Sequence, residues 1–230
     1  MTPHGDGVLS NEYEGILRLF LTLQHTKELP RQGLILAGFK RHEVDTVAGN
    51  SYTVAVLSYL LAAYLRRKYE SVDPAEVLKM AIFHDIGEAL TGDLGRYVKW
   101  KDPEAWERVE ELAITELSQS VSFLKDHVGQ TVCSIVNSYN CRTVPSAWIV
   151  KVADALDATA QSHSSVWARK KALADLNRND KKLILNLQSA AQQAKGEGDS
   201  NSAALLQELC SFFETACSAI REESVSCIRF

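Results

Sequence analysis

Residues 80–93 read M-A-I-F-H-D-I-G-E-A-L-T-G-D, and this stretch decides the fold and the chemistry expected of the chain. The apolar residues that lead into it leave no polar face, which predicts a helix buried on most sides. His84, Asp85 and Glu88 interrupt that helix, where unpaired charge is costly. His84 and Asp85 are neighbours about 100° apart on a helix, and Glu88 follows one turn later. A divalent cation bound by this group would remove the cost.

Sequence signals also mark where the helices begin. Asp73-Pro74-Ala75-Glu76 combines a capping carboxylate, a proline at the first helical position and a glutamate three residues after the cap. Asp102-Pro103 opens another helix in the same way, with an expected apolar stripe of Trp106, Val109, Leu112, Ala113 and Leu117. Besides these features, helical spacing of apolar residues predicts helices over 11–25, 46–68, 102–123, 128–139, 145–169, 182–194 and 203–223.

The chain is predicted to be all-α, because it shows no β-hairpin signal and no repeat of fixed period. Gly33–Phe39 is either a buried extended connection or a helical turn. We expect a flexible tail over residues 1–10, a helical core over 11–175 and a C-terminal helical pair over 176–230. The pair should pack on the core or on a partner subunit through Leu205, Leu206, Leu209, Phe212 and Phe213.

Composition restricts the classes of function. The 230 residues carry a net charge of −4 with a pI near 5.9, so no basic surface indicates a nucleic-acid polymer or an anionic membrane as partner. The sequence shows no signal peptide and no apolar run of about 18 residues, which favours a cytoplasmic protein. Its five cysteines form no C-x-x-C pair and are expected to be buried free thiols.

Two motifs carry a resemblance to a known family. H-D-x-G-E-x-x-x-G-D spans 84–93, and A-D-x-L-D spans 153–157, with further matches at 29–33 and 46–52. Over roughly residues 13–160 the chain resembles the HD-domain metal-dependent phosphohydrolases, in the branch that contains bacterial 5'-deoxynucleotidase. The resemblance implies an HD-domain helical bundle, to which the C-terminal helical pair is an addition. It also implies a metal held by a histidine, a His-Asp doublet and a later aspartate, of which His84, Asp85 and Asp154 match three.

The chain departs from the family pattern at the fourth ligand. Where the family has E-S-V-A-E-H-S-Y, residues 45–52 read D-T-V-A-G-N-S-Y, so Asn50 replaces the usual histidine and Gly49 the usual glutamate. An amide oxygen is a weaker donor than imidazole for a transition metal. The glycine also removes the last member of a capping box that begins at Thr46. His42, eight residues upstream, is a less favoured replacement ligand.

A second departure lies after L-P-R-x-G, where relatives often carry a tryptophan and an arginine. This chain has Leu34 and Ala37 there, while Arg31 and Lys40 remain as the candidate contacts to a substrate phosphate.

The resemblance implies roles for the other polar residues of the motifs. Glu88 is the candidate general acid or base, and Asp93 would contact a ribose hydroxyl or the attacking water. Both could instead be capping residues at the helix end. Asp154 could be a surface carboxylate paired with Lys151, and Asp157 is expected to be structural. The cofactor would be a divalent metal, with Mn, Co, Mg, Zn and Fe as candidates.

Two functions from different classes follow. The first is a metal-dependent phosphohydrolase acting on (deoxy)nucleotides or related small phosphate esters, with an altered metal site. The second is a catalytically lapsed HD-fold protein that serves as a binding or assembly module. A di-iron oxygenase is disfavoured because the additional histidines it needs are missing. Similarity to the family also implies a homo-oligomer.

Overall fold

The computed structural model describes residues 11–94, 101–124, 131–163 and 169–223, and these ranges are helical apart from turns and one isolated bridge between Pro30 and Thr46. The all-α prediction is therefore confirmed. The α-helices, numbered here in chain order, are α1 (Asn11–Leu23), α2 (Gln32–Leu36), α3 (Val47–Arg66), α4 (Pro74–Phe83), α5 (Glu88–Thr91), α6 (Pro103–Gln119), α7 (Val132–Cys141), α8 (Pro145–His163), α9 (Arg169–Gly196) and α10 (Ser200–Glu223). Short 3-10 turns cover Gln24–Lys27 and Arg41–Glu43.

The main core lies where α3, α4 and α8 pack together and where α9 and α10 pack against α8. Helix α8 buries four consecutive residues, Ala147 to Val150, as expected of an element that has others packed on several sides. The fully buried side chains include Val54, Leu65, Ile149, Leu187, Leu205, Leu209 and Phe213. The C-terminal pair thus packs on the core of its own chain, with four of its five predicted apolar contacts buried there and Phe212 at the edge.

The helix expected to carry residues 80–93 is interrupted. It ends at Phe83, and residues 84–87 form a tight turn in which the Ile86 amide bonds the Phe83 carbonyl at 3.1 Å before α5 begins at Glu88. Ile82 is 52% exposed, so α4 is not buried on most sides. The prediction was wrong because the apolar run was assumed to continue a single helix. The interruption separates Glu88 from the His84–Asp85 pair by a turn of different geometry.

Other boundaries shift for identifiable reasons. Helix α6 buries Trp106, Ala113 and Leu117 together with Ile114, whereas Val109 and Leu112 are exposed, so the buried face is rotated from the predicted stripe. Helix α9 begins at Arg169, whereas the sequence predicted a start at residue 182. The prediction missed the first half of the helix because that half is polar and shows no apolar periodicity. The sequence allowed either an extended connection or a helical turn for Gly33–Phe39, and the structure has the short helix α2 up to Leu36. The predicted tail at 1–10 and the helix start near residue 128 lie outside the described residues.

A buried polar cluster lies midway along α9, around Asp180. The Asp180 carboxylate is buried, accepts a hydrogen bond from Arg221 of α10 at 2.6 Å and lies 3.4 Å from the Thr159 hydroxyl of α8. Burial raises the pKa of Asp180, while Arg221 opposes that rise. This contact joins α8, α9 and α10 through polar groups that an apolar pattern does not reveal.

The prediction that the cysteines are buried thiols is confirmed for Cys210 and Cys217. Cys133 is half-buried, and Cys141 is exposed, so the prediction was wrong for these two. The four are free thiols, and Cys227 lies outside the described residues. None of the helices in the described part of the chain is both long and apolar enough to cross a membrane.

Gly15→Ala is expected to destabilise the fold by about 1–3 kcal/mol, because a Cβ at this position would lie 1.9 Å from the backbone carbonyl oxygen of Ser120. Helix α1 would have to move away from the end of α6. Gly33→Ala is the matched control, since nothing lies within 4 Å of its added Cβ. Urea unfolding measures both variants, and equal midpoints would contradict the packing of α1 described here.

Candidate metal centre

Three side chains of types that can bind a metal meet where α4 ends beside α8. His84 and Asp85 come from the turn after α4, and Asp154 projects from α8. One ligand atom from each residue lies within 4.8 Å of the other two. The ring of His84 is buried, with 2% of the residue exposed, and both carboxylates are half-buried. The structure therefore brings together the three residues predicted to bind a metal.

The His84 ring is held in one tautomer. Its Nδ1 lies 2.8 Å from the Ala81 carbonyl oxygen, which can only accept, so Nδ1 carries a proton, and Nε2 has the lone pair whenever the ring is neutral. Nε2 is 3.0 Å from Asp85 Oδ2 but makes no hydrogen bond of good geometry, and it is buried. A buried nitrogen lone pair beside two carboxylates is the arrangement that a divalent cation satisfies.

Arg31, immediately before α2, supplies positive charge to the same cluster. Its guanidinium lies 3.6 Å from carboxylate oxygens of Asp85 and Asp154 and 4.0 Å from Asp93. Burial opposes its charge, but Asp154, Asp85 and the other carboxylates outweigh burial and raise the pKa of Arg31. The backbone of Arg31 is fixed as well, since its amide donates to the Asp45 carbonyl at 3.1 Å. The predicted phosphate contact is thus held at the acidic cluster.

Asp154 has a second cationic neighbour. Lys151, one turn earlier on α8, donates to Asp154 Oδ2 at 2.8 Å. Burial would raise the pKa of Asp154, but Lys151, Arg31 and His84 hold it well below its usual range. The carboxylate therefore stays ionised, and the pairing with Lys151 exists together with the approach to His84 and Asp85.

Tyr139 of α7 is a site residue that the sequence did not indicate. Its ring meets the His84 ring edge-on at a centroid distance of 5.4 Å, and its hydroxyl lies 3.5 Å from Lys151 Nζ. Burial, reinforced by Asp154 and Asp85, raises the pKa of Tyr139 well above its usual value. The sequence could have indicated Tyr139 through its place on the buried face of α7, beside Ile135 and Val136. A tyrosine buried there needs a polar partner for its hydroxyl.

Asn50 lies fully buried in the first turn of α3. Its Nδ2 donates to Asp157 Oδ2 at 2.7 Å, while its Oδ1 is buried without a hydrogen-bond partner. Asp157 follows Asp154 by three residues on α8, so the two carboxylates share a face of that helix. The Asn50 amide is therefore held by a carboxylate one helical turn from Asp154, and its own oxygen is left without a hydrogen bond.

The position of the Asp45 side chain accounts for a glycine at residue 49, beside Asn50. A Cβ on Gly49 would lie 2.0 Å from Oδ1 of Asp45, whose carboxylate also accepts from the Thr46 amide at 2.8 Å. The Thr46 hydroxyl accepts from the Gly49 amide at 3.0 Å and caps α3 by itself. The capping of α3 thus persists without the glutamate of the family pattern.

The remaining predicted residues separate into two groups. Asp93 Oδ2 accepts from the Gln32 amide at 2.7 Å, which ties the start of α2 to the turn after α5, and Glu88 contributes charge that acts on Arg31. Asp93 therefore lies beside the Arg31 guanidinium, and the charge of Glu88 favours the same guanidinium. Lys40 is exposed at the start of the Arg41–Glu43 turn, and no hydrogen bond or ion pair joins it to His84, Asp85 or Asp154 within the described ranges.

The donor set fits a divalent cation. His84 Nε2 and Asn50 Oδ1 are buried polar atoms without hydrogen bonds, and Asp85 and Asp154 add anionic oxygens. One nitrogen with several oxygens is a combination that Mn, Fe, Co, Zn or Mg accepts.

The structure is an all-α bundle in which a His-Asp doublet and a later aspartate meet in one cluster, and these features define a class of proteins. Sequence comparison names that class, because residues 23–195 match the HD domain family, to which the chain belongs. The relatives that it matches in sequence include 5'-deoxynucleotidases. A 5'-deoxynucleotidase of Photobacterium profundum is 25% identical over 113 residues, covering 49% of this chain and 58% of the relative. One of Dictyostelium discoideum is 27% identical over 150 residues, covering 64% and 75%. The chain therefore spans little more than half of the first of these relatives.

Solved structures show the same fold. A conserved hypothetical protein of Pyrococcus furiosus superimposes with a TM-score of 0.64 at 24% identity, covering 86% of this chain and 99% of its own. A protein of Magnetospirillum magnetotacticum, named a predicted metal-dependent phosphohydrolase, gives a TM-score of 0.59 at 17% identity, covering 93% and 97%. At these identities the likeness concerns the fold alone.

Mn²⁺ affinity is expected to fall as the pH is lowered, because a cation competes with a proton for His84 Nε2. Burial by itself would lower the pKa of His84, but the Asp85 carboxylate raises it above its ordinary value of 6.5. The loss of Mn²⁺ affinity therefore begins above pH 6.5, and it approaches about tenfold per pH unit below the raised pKa of His84. Calorimetry in buffers of different ionisation enthalpy should find about one proton displaced per ion at acidic pH. An affinity unchanged between about pH 8 and about pH 5.5 would contradict this result.

Proposed function

We propose that this protein is a metal-dependent phosphohydrolase that acts on (deoxy)nucleotides or related small phosphate esters, with Asn50 as an altered metal ligand. The observation that carries the proposal is the buried His84 Nε2, which makes no hydrogen bond and faces the carboxylates of Asp85 and Asp154. The histidine already donates from its other nitrogen to a carbonyl, as metal-binding histidines usually do.

The proposed chemistry assigns each group a task. A bound divalent cation would polarise a phosphate oxygen and lower the pKa of water. Arg31 would offset the charge of the phosphate, and the three carboxylates that surround it hold its guanidinium in place. Glu88 would accept or donate the proton of the attacking water, and Asp93 would bind a ribose hydroxyl or orient that water. Lys40 remains a prediction as a further phosphate contact.

The substrate class rests on the relatives. The similar proteins of Photobacterium profundum and Dictyostelium discoideum are 5'-deoxynucleotidases, which makes nucleoside monophosphates the first substrates to assay. Nothing in the sequence recognises a particular nucleobase, so a panel of bases and of both sugars is needed.

The test combines metal analysis with turnover. Elemental analysis of purified protein is expected to find a divalent metal, and phosphate release from a panel of nucleoside monophosphates is expected with Mn²⁺, Co²⁺ or Mg²⁺. Asp85→Ala should abolish turnover, and Asp157→Ala should retain it at saturating metal. Absence of both metal and turnover in the wild type would refute the proposal.

The alternative is a catalytically lapsed HD-fold module. The observation in its favour is that Arg31 and Lys151 already partly neutralise the carboxylates around His84, so the cluster is electrostatically tolerable without a metal. Metal binding and turnover that both appear only after Asn50→His would support this alternative. Wild-type turnover would exclude it.

We further propose a cytoplasmic homo-oligomer in which residues 11–175 form the catalytic core and 176–230 an extension. Exposed apolar surface suited to association includes the outer face of α1 and a groove of about 480 Å³ between α3 and α4. The groove is lined mainly by Tyr52, Val56, Tyr59, Leu60 and Ile82. Light scattering tests the oligomeric state, and the mass of a single chain at micromolar concentration would refute it.

A further inference from the structure

The orientation of the Asn50 amide is determined by its partner. An ionised carboxylate only accepts hydrogen bonds, so the contact of 2.7 Å with Asp157 Oδ2 requires that Asn50 presents its NH₂ group to Asp157. The carbonyl oxygen Oδ1 then points away from Asp157, and it is buried without a partner. Rotation of the amide by half a turn would set Oδ1 against the carboxylate and is disfavoured by repulsion.

Asp157 connects this amide to α8, the helix that carries Asp154. It follows Asp154 by three residues on α8, and the two carboxylates lie on the same face of the helix. Asp157 is not among the three residues whose ligand atoms lie within 4.8 Å of one another. It touches Asn50 instead, so any influence on a bound cation passes through Asn50 or through its charge.

We propose that Asp157 is a positioning residue that presents Asn50 Oδ1 as the fourth ligand, and that the resulting set of three oxygens and one nitrogen favours Mn²⁺ relative to Co²⁺. The selectivity follows because oxygen ligands suit harder cations, whereas imidazole nitrogen suits the later transition metals. This inference rests on the proposed metal centre and adds to it the identity of the atom that orients the altered ligand.

A double-mutant cycle tests the positioning role. Dissociation constants for Mn²⁺ are measured by calorimetry on the full chain for the wild type, Asp157→Ala, Asn50→Ala and the double variant. Asp157→Ala is expected to weaken binding about tenfold in the wild-type background and less than about twofold in the Asn50→Ala background. An equal loss in both backgrounds would show that Asp157 acts only through its charge and would overturn the positioning role.

Co²⁺ measured on the same proteins tests selectivity. Asn50→Ala removes an oxygen ligand and should weaken Mn²⁺ binding at least about threefold more than Co²⁺ binding. Asn50→His supplies nitrogen instead and should shift the affinity ratio toward Co²⁺ by about tenfold or more. If the ratio of the two affinities stays unchanged in Asn50→Ala, the selectivity claim is refuted even where Asn50→His fails to fold.

Failure of this inference is distinguishable from failure of the metal centre. A wild-type chain that binds neither Mn²⁺ nor Co²⁺ refutes the metal centre itself and the inference with it. A chain that binds either ion but shows no coupling between residues 50 and 157 refutes only the inference.

Discussion

Asp154→Asn should abolish metal binding, with a loss of Mn²⁺ affinity of more than about a hundredfold. This loss exceeds the one typical for removal of a residue that only hydrogen-bonds a metal ligand. The amide keeps the shape of the side chain but has no negative charge to attract the cation. Phosphate release should fall below detection for the same reason. Calorimetry and a phosphate assay on one preparation measure both effects.

The control variant changes Lys151, which forms an ion pair with Asp154. Lys151 holds the pKa of Asp154 low, so the ionised carboxylate also stabilises the metal-free fold, and Asp154→Asn should unfold somewhat more easily. Lys151→Met breaks the contact of 2.8 Å but leaves the ligand in place, so its Mn²⁺ affinity should be unchanged or higher. If both variants lose Mn²⁺ equally, Asp154 acts through the ion pair and is not a ligand.

Phe213→Ala should cost about 3–5 kcal/mol of the free energy of unfolding, because the ring is fully buried where α10 packs on the core. For a chain of this size the loss corresponds to roughly 6–20 °C in Tm. Thermal unfolding followed by circular dichroism measures the change.

The neighbouring residue is the matched control. Phe212 has the same side chain on the same helix but is 36% exposed, so Phe212→Ala should cost about 1 kcal/mol or less. Similar Tm values for the two variants would mean that α10 does not pack on the core as described. A large effect confined to Phe212 would point instead to an interface with another subunit.

The sequence predicted the elements whose signals are local. Asp73 and Asp102 cap their helices as expected, and the apolar faces of α3 and α8 form the core. His84, Asp85 and Asp154 are far apart in sequence, and their meeting was predicted from motif resemblance, not from periodicity. Local patterns alone do not specify which helices become neighbours.

The failures also have physical causes. The end of α4 at Phe83 was missed because apolar character continues through a turn that is closed by i→i+3 hydrogen bonds. The start of α9 was missed because the first half of that helix, before residue 182, is polar and shows no apolar periodicity. Tyr139 and the Asn50–Asp157 hydrogen bond depend on tertiary packing across helices, which spacing along one helix cannot indicate.

The close approach of Asp45 to Gly49 makes these two positions interdependent. A side chain introduced at residue 49 would require the Asp45 carboxylate, which is the far end of a short side chain, to turn away from the Thr46 amide. Grafting the glutamate-histidine pair of the family onto this chain therefore costs that contact, and Asp45 must adopt another rotamer.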